Sequence, residues 1–191
     1  MSPLAGSTAP SGASLLAPIL VLVRRGDGNL FAAYLAELLR IEGLNWLAVR
    51  DLEAAPFRGD EAWPPVVVAA AVALDERTVA RVVQHIRGGG ALLAARPCQA
   101  LAQALGLAGG QPLWSGRYVM LDPASQLAAG LAWAEGGVQY QGAAYGYAAH
   151  GTELEQVEVA AWLAPFPGQR SRYPALVAGQ LGRGRVAIFA Y

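Results

Sequence analysis

The sequence contains no lysine: its fourteen basic residues are all arginine, balanced by fourteen acids to a formal net charge of +0. Those arginines are scattered along the chain, so there is no basic stripe to track phosphates and nucleic-acid binding is not expected. The single cysteine, Cys98, rules out an intrachain disulfide. Histidine is limited to His85 and His150, with no CxxC pair and no ligand-spaced His pair, so neither a metal site nor a cofactor is expected. No apolar run approaches the roughly 20 residues that a membrane-spanning helix needs, which removes the membrane as an expected partner.

What is present is apolar. Hydrophobic residues make up 54% and charged residues 15% of 191 residues, a composition that folds and a length that suits one domain. Residues 1–14, rich in Ser, Ala, Gly and Pro, read as a flexible tail, which leaves a single domain over 15–191. The start has no basic n-region, so cytoplasm is the expected compartment, with a secreted fragment that has lost its leader as the alternative.

Ile19 to Val23 is an unbroken β-prone run, as for a strand buried on both faces, and the turn Gly26-Asp27-Gly28-Asn29 follows it. Leu30 to Glu42 has helical spacing of Phe31, Tyr34, Leu35, Leu38 and Leu39, and Gly43 is placed to end it. Trp46 to Val49 and Val66 to Val72 read as strands. Asp75 is placed to cap a helix over Glu76 to Arg87, whose stripe is Val79, Val82, Val83 and Ile86. His85 falls off that stripe and reads as solvated. After Gly88-Gly89-Gly90 come a strand, Ala91 to Ala95, and a short helix, Gln99 to Leu105. This alternation predicts βαβ units and a parallel sheet. From Trp114 onward the segments are short and β-like: Arg117 to Leu121, Val138 to Gln141, Val157 to Ala164, Ala175 to Leu181 and Arg185 to Tyr191. The last two read as a hairpin around Gly182-Arg183-Gly184.

The order of these segments resembles the class I glutamine amidotransferase-like (flavodoxin-like) domains. It is most similar to their non-amidotransferase branch, which includes the trehalose-utilisation-like domains of large bacterial proteins. The carriers are the GDGN turn followed by LFAAYLAELLRIEGLN, the block LDERTVARVVQHIRGGGALLAARP, and YPALVAGQLGRGRVAIFAY. The resemblance implies a flavodoxin-like three-layer α/β sandwich with a mostly parallel sheet and an antiparallel, β-rich C-terminal part. It also implies a longer natural protein, since such chains commonly continue past the final FAY strand.

In catalytic relatives the strand after the glycine turn leads into an elbow bearing the nucleophilic cysteine. Arg96 occupies that place here, and Cys98 comes two residues later. Such an elbow needs free backbone N–H groups to hold an oxyanion, and Pro97 has none. The family's closing His and acid pair is matched only by His150 and Glu153, outside the expected motif. Amidotransferase activity is therefore not expected.

Ligands of open parallel sheets gather beyond the carboxyl ends of the strands. Those ends carry Arg24, Arg25, Asp27 and Asn29, then Arg50 and Asp51, then Arg96 and Cys98. Guanidinium forks there suit a small-molecule anion or a carbohydrate acid. The competing reading has Arg24, Arg50 and Arg96 paired internally with Asp27 and Asp51. Cys98 is either a thiolate favoured by a helix start and a neighbouring Arg or small packing at the top of a helix. Tyr140, Tyr145 and Tyr147, with Trp114 and Trp133, are either a sugar-stacking platform or packing under a glycine-rich loop.

The expected function is a non-catalytic module that binds a small-molecule anion or carbohydrate, or serves interaction, with a homodimer through an exposed sheet edge or additional domains as further partners. The alternative is a hydrolase or isomerase acting on a small carbohydrate-like substrate at the C-terminal edge of the sheet, with His150 or Glu153 as acid or base.

Overall fold

Four strands make the parallel start of the sheet, and the two inner ones come from runs too apolar to face water. β1 (Ile19–Val23) is buried at four consecutive residues, and β3 (Val66–Ala70) repeats that pattern. β2 (Leu47–Asp51) lies outside β1, and β4 (Ala91–Ala95) lies beside β3. The computed structural model describes residues 17–27, 30–55, 62–131, 137–148 and 153–191, with Asp27 through its backbone alone. The expected tail, the second half of the GDGN turn with Asn29, Trp133 and His150 lie outside the described residues.

Helices α1 (Phe31–Ile41), α2 (Glu76–Arg87) and α3 (Gln99–Ala104) follow β1, β3 and β4 respectively. α2 has the bounds that its capping signals imply: the Asp75 carboxylate accepts from the Thr78 N–H at 2.7 Å, and this bond holds its pKa below the usual range. Val79, Val82 and Ile86 are buried with α3 residues Leu101 and Leu105 on one face of the sheet, over Leu22, Val67 and Ala94. Each such side chain contributes about 1.5–3 kcal/mol by leaving water.

α1 covers the other face, over Val21, Val23 and Val68, with Phe31, Leu35 and Leu39 of the expected stripe packed against this core. Ala32 and Ala36 are buried, whereas Tyr34 is 59% exposed and Leu38 36% exposed. Small alanines let the helix axis approach the valine strands closely, so the face that meets the sheet runs through Phe31, Ala32, Leu35, Ala36 and Leu39 and leaves Tyr34 and Leu38 outside. Gly43, at φ +91°, ends it as expected: the Gly43 and Leu44 N–H groups donate to the carbonyls of Arg40 and Leu39.

The second half adds β6 (Tyr118–Leu121), β7 (Val138–Gln139), β9 (Glu155–Ala164), β10 (Pro174–Leu181) and β11 (Gly184–Phe189). The nine-stranded order is β2-β1-β3-β4-β11-β10-β9-β6-β7. Pairing is parallel from β2 through to β11 and antiparallel from there to β7. The protein is thus α/β, with one sheet that changes from parallel to antiparallel. β10 and β11 are the expected hairpin, closed at Leu181 and Gly184 with Gly182 at φ +60°. Two strands were not legible beforehand: β5 (Ala108–Ser115) and β8 (Ala143–Ala148) pair as a separate antiparallel ribbon. Among the described residues no helix is long and apolar enough to cross a membrane.

His85 corrects the solvated reading. Its ring packs 5.5 Å from Trp63, Nε2 is buried without a partner, and burial pushes its pKa down against a hydrogen bond to the Pro65 backbone. A base whose folded pKa is lowered contributes stability that is present above its unfolded value of 6.5 and lost as pH falls through the folded value. Thermal melts between roughly pH 7 and 5 should show acid destabilisation that the neutral replacement His85→Gln removes. An equal acid loss in both proteins would contradict this assignment.

Candidate functional site

β3 and β4 both end in a backbone kink at a residue that is not glycine. Ala71 has φ +50° and Arg96 φ +45°. This left-handed region costs an L-residue about 1–2 kcal/mol, so the surrounding bonds must hold it. The Ala71 N–H donates to the Ala95 carbonyl at 2.7 Å, and the Arg96 N–H donates to the Phe189 carbonyl at 2.8 Å. The Arg96 N–H is therefore occupied within the sheet, and Pro97 has none to offer.

Pro97 is fixed from outside the sheet. Tyr147 of β8 is buried and its hydroxyl donates to the Pro97 carbonyl at 3.1 Å. Burial, and then the neighbouring Tyr145, push the Tyr147 pKa well above the usual phenol range, so it stays a neutral donor. The ribbon carrying it lies close because Gly109 and Gly110 of β5 take φ of +97° and +85°; a Cβ on Gly109 would stand 2.5 Å from the Gly146 carbonyl oxygen.

Between the strand ends and the ribbon is a cavity of about 690 Å³. Arg96, Cys98, Gln99, Gln111, Tyr145 and Tyr147 contribute its polar atoms, and the described lining contains no carboxylate or imidazole. Tyr145 and Tyr147 are stacked at 6.4 Å and 24°. Cys98 is the N-cap of α3, partly buried, and its side chain makes no capping hydrogen bond.

The arginine rim does not converge. Arg24 donates through Nε to the Ala73 carbonyl at 3.1 Å and pairs with Glu53 at 3.6 Å, while Arg25 pairs with Asp51 at 3.8 Å. The Gly26 N–H also donates to Glu53, so an acid not singled out from the sequence ties β1 to β2. Arg50 sits on edge strand β2 opposite Leu22, three strand spacings or roughly 14 Å from β4. Internal pairing thus describes Arg24 and Arg25, although with Glu53 and Asp51 as partners.

Arg96 is different. It makes no ion pair among the described residues, its Nε is buried without a partner, and its guanidinium lies 5.0 Å from the centre of the Phe31 ring. Glu153 is at the opposite edge of the sheet, 3.4 Å from Arg87 at the end of α2. The reason is strand direction: β9 starts where β4 starts, because Glu155 pairs with Gln180, Gln180 with Arg185 and Arg185 with Ala91. That position removes Glu153 from the rim where the sequence reading placed it.

Of the described residues of the aromatic platform, only Tyr145 and Tyr147 line the cavity. Tyr140 packs on Tyr191 at 5.6 Å, and Trp114 meets Tyr173 edge-on at 6.3 Å. Gln99, Gln111 and the left-handed Ala71 were missed; the Gly109-Gly110 pair was the one local signal of close backbone approach nearby.

The left-handed Arg96 gives a direct test. Arg96→Gly removes the Cβ strain, so Arg96→Gly should be more stable than Arg96→Ala by about 1 kcal/mol in urea denaturation. The reverse order would contradict the φ assigned to Arg96.

No protein-family model and no curated protein sequence matches the chain. Solved structures do share its fold. A β-galactosidase from Rahnella sp. R3 aligns with a TM-score of 0.65 at 15% identity, over 91% of this chain and 28% of that one. An exo-β-1,4-mannosidase from Opitutaceae bacterium strain TAV5 gives 0.57 at 12% identity, over 93% of this chain and 31% of that one. A cytoplasmic protein from Salmonella typhimurium gives 0.57 at 15% identity, over 83% of this chain and 74% of that one. The chain spans less than a third of the two glycosidases, and at these identities the likeness is one of fold: an α/β unit that recurs within larger carbohydrate-active chains and in a smaller protein.

Proposed function

We propose that this chain is a non-catalytic, class I glutamine amidotransferase-like domain that binds a carbohydrate in the cavity at the carboxyl ends of β3 and β4. The observation that carries the reading is the cavity itself: stacked tyrosines on one wall, two glutamines to meet hydroxyls, and no carboxylate or imidazole among its described lining. The flavodoxin-like, amidotransferase-like architecture is supported by the order β2-β1-β3-β4, by helices on both faces, and by the left-handed residue that ends β4 where the family carries its elbow. Loss of chemistry at that elbow is supported by Arg96 in the nucleophile's place, by its N–H bonded to Phe189, and by Pro97.

A role as one module of a larger protein is supported by the fold's recurrence as about 28% of a galactosidase chain. A cytoplasmic setting belongs to the same reading, supported by the lone thiol and by the likeness to a protein described as cytoplasmic.

Calorimetric titration with D-galactose, D-mannose and D-glucose tests the reading. At least one should bind and be recovered unchanged, and the double variant Tyr145→Ala/Gln111→Ala should weaken it by roughly tenfold or more. Absence of binding by all three, or conversion of any of them, would overturn it.

A further inference from the structure

Arg96 lines the proposed sugar cavity and also a second one. Phe31, whose ring the guanidinium covers, and Gly142, where a Cβ would stand 4.0 Å from Nη1, both line this second cavity of about 560 Å³ on the α1 side of the sheet. The walls there are apolar and aromatic: Phe31, Leu35, Leu93, Tyr140, Phe189 and Tyr191. Tyr140 and Tyr191 are tilted at 33° to each other, and Phe189 meets Tyr191 edge-on at 6.1 Å. Burial pushes both tyrosine pKa values up, so neither supplies an anion to answer the arginine.

Among the described residues Arg96 is thus the one charged residue lining this cavity, with Nε already buried without a partner and no ion pair. α1 begins at the same place with Phe31, and its first turn has neither an acid nor a side-chain cap from Leu30. A partly buried guanidinium without a counter-ion among the described residues, set among aromatic rings, is complementary to an anion carried on a flat apolar body. The volume is within the range of small-molecule sites, roughly 300–1,000 Å³, and suits one or two fused rings.

We infer that this second cavity binds an aromatic carboxylate, with the ring system between Phe31, Tyr140 and Tyr191 and the carboxylate on the Arg96 guanidinium. The site shares Arg96 with the carbohydrate cavity and no other described lining residue, and it does not depend on that reading. Arg96 would then be held in a strained backbone conformation because its side chain serves a ligand that nothing else in the fold replaces.

Fluorescence titration with 2-naphthoate tests this directly, with its uncharged counterpart 2-naphthamide and the apolar-free anion gluconate as controls. The expected result is that 2-naphthoate binds, while 2-naphthamide and gluconate bind at least about tenfold more weakly. Arg96→Gln should reduce naphthoate affinity by a similar factor, and Leu35→Trp, which fills the cavity, should abolish it, with circular dichroism showing that both variants are folded. If Leu35→Trp fails to fold, Arg96→Gln and the two control ligands decide. Equal binding of naphthoate and naphthamide, unchanged affinity in Arg96→Gln, or no naphthoate binding would overturn the inference. Where a monosaccharide also binds, saturating it should leave naphthoate affinity within about twofold, and displacement would overturn the separation of the two sites. Failure of the sugar titrations alone leaves the naphthoate arms decisive.

Discussion

Replacing Gly184 with alanine should destabilise the protein by at least about 3 kcal/mol, more than any surface change and near the upper end of what overpacking costs. Gly184 opens β11, the strand that joins the parallel half of the sheet to the antiparallel half. A Cβ there would overlap the backbone carbonyl oxygens of Ile86 and Gly90, which belong to the end of α2 and the glycine turn after it. No rotamer change relieves a clash with backbone, so α2 or β11 must move. Such a shift disturbs the register of Ala91 with Arg185 and propagates to the strand that ends in Arg96. Urea denaturation followed by circular dichroism measures the effect. A loss below about 1 kcal/mol would mean that the α2 and β11 backbones are farther apart than described.

Tyr147→Ala should cost about 3–5 kcal/mol, the usual range for deleting a fully buried aromatic side chain, whereas Tyr147→Phe should cost about 1 kcal/mol. The difference separates packing from hydrogen bonding. The ring is 3% exposed and sits among core residues, while the hydroxyl does one thing, donating to the Pro97 carbonyl. The alanine variant also removes one wall of the sugar cavity and the contact that fixes the turn after Arg96. It should therefore lose monosaccharide binding as well as stability. Equal losses for the two substitutions, read by the same denaturation, would contradict the placement of the ring.

The parallel half was legible because local signals bracket its elements. Asp75 and the Gly88-Gly89-Gly90 turn bound α2, and that same turn and Arg96 bound β4, so both elements have the extents that the sequence implies. The ribbon of β5 and β8 was not legible, because Gly109 pairs with Tyr147 across a long stretch of chain and the glycines that allow the pairing also read as loop. The α1 stripe was read from the largest side chains, of which Phe31, Leu35 and Leu39 pack on the sheet; the deepest positions went unread because they are small, Ala32 and Ala36. His85 is half-buried against Trp63, which comes from before β3 and leaves no mark on the helical pattern around the histidine. For the site, Arg96 and Cys98 were found from strand-end position. What no local pattern carries is direction: Phe31 draws the Arg96 guanidinium to the α1 face, and Glu53 captures Arg24.

The central claim is that the cavity beyond β3 and β4 holds a carbohydrate without transforming it. A crystal structure of the protein soaked in the monosaccharide that binds most tightly tests it most directly. The expected density is an intact pyranose ring against Tyr145, within hydrogen-bond distance of Gln99 or Gln111. A sugar bound elsewhere with this cavity empty, or a cleaved or isomerised product within it, would contradict the account.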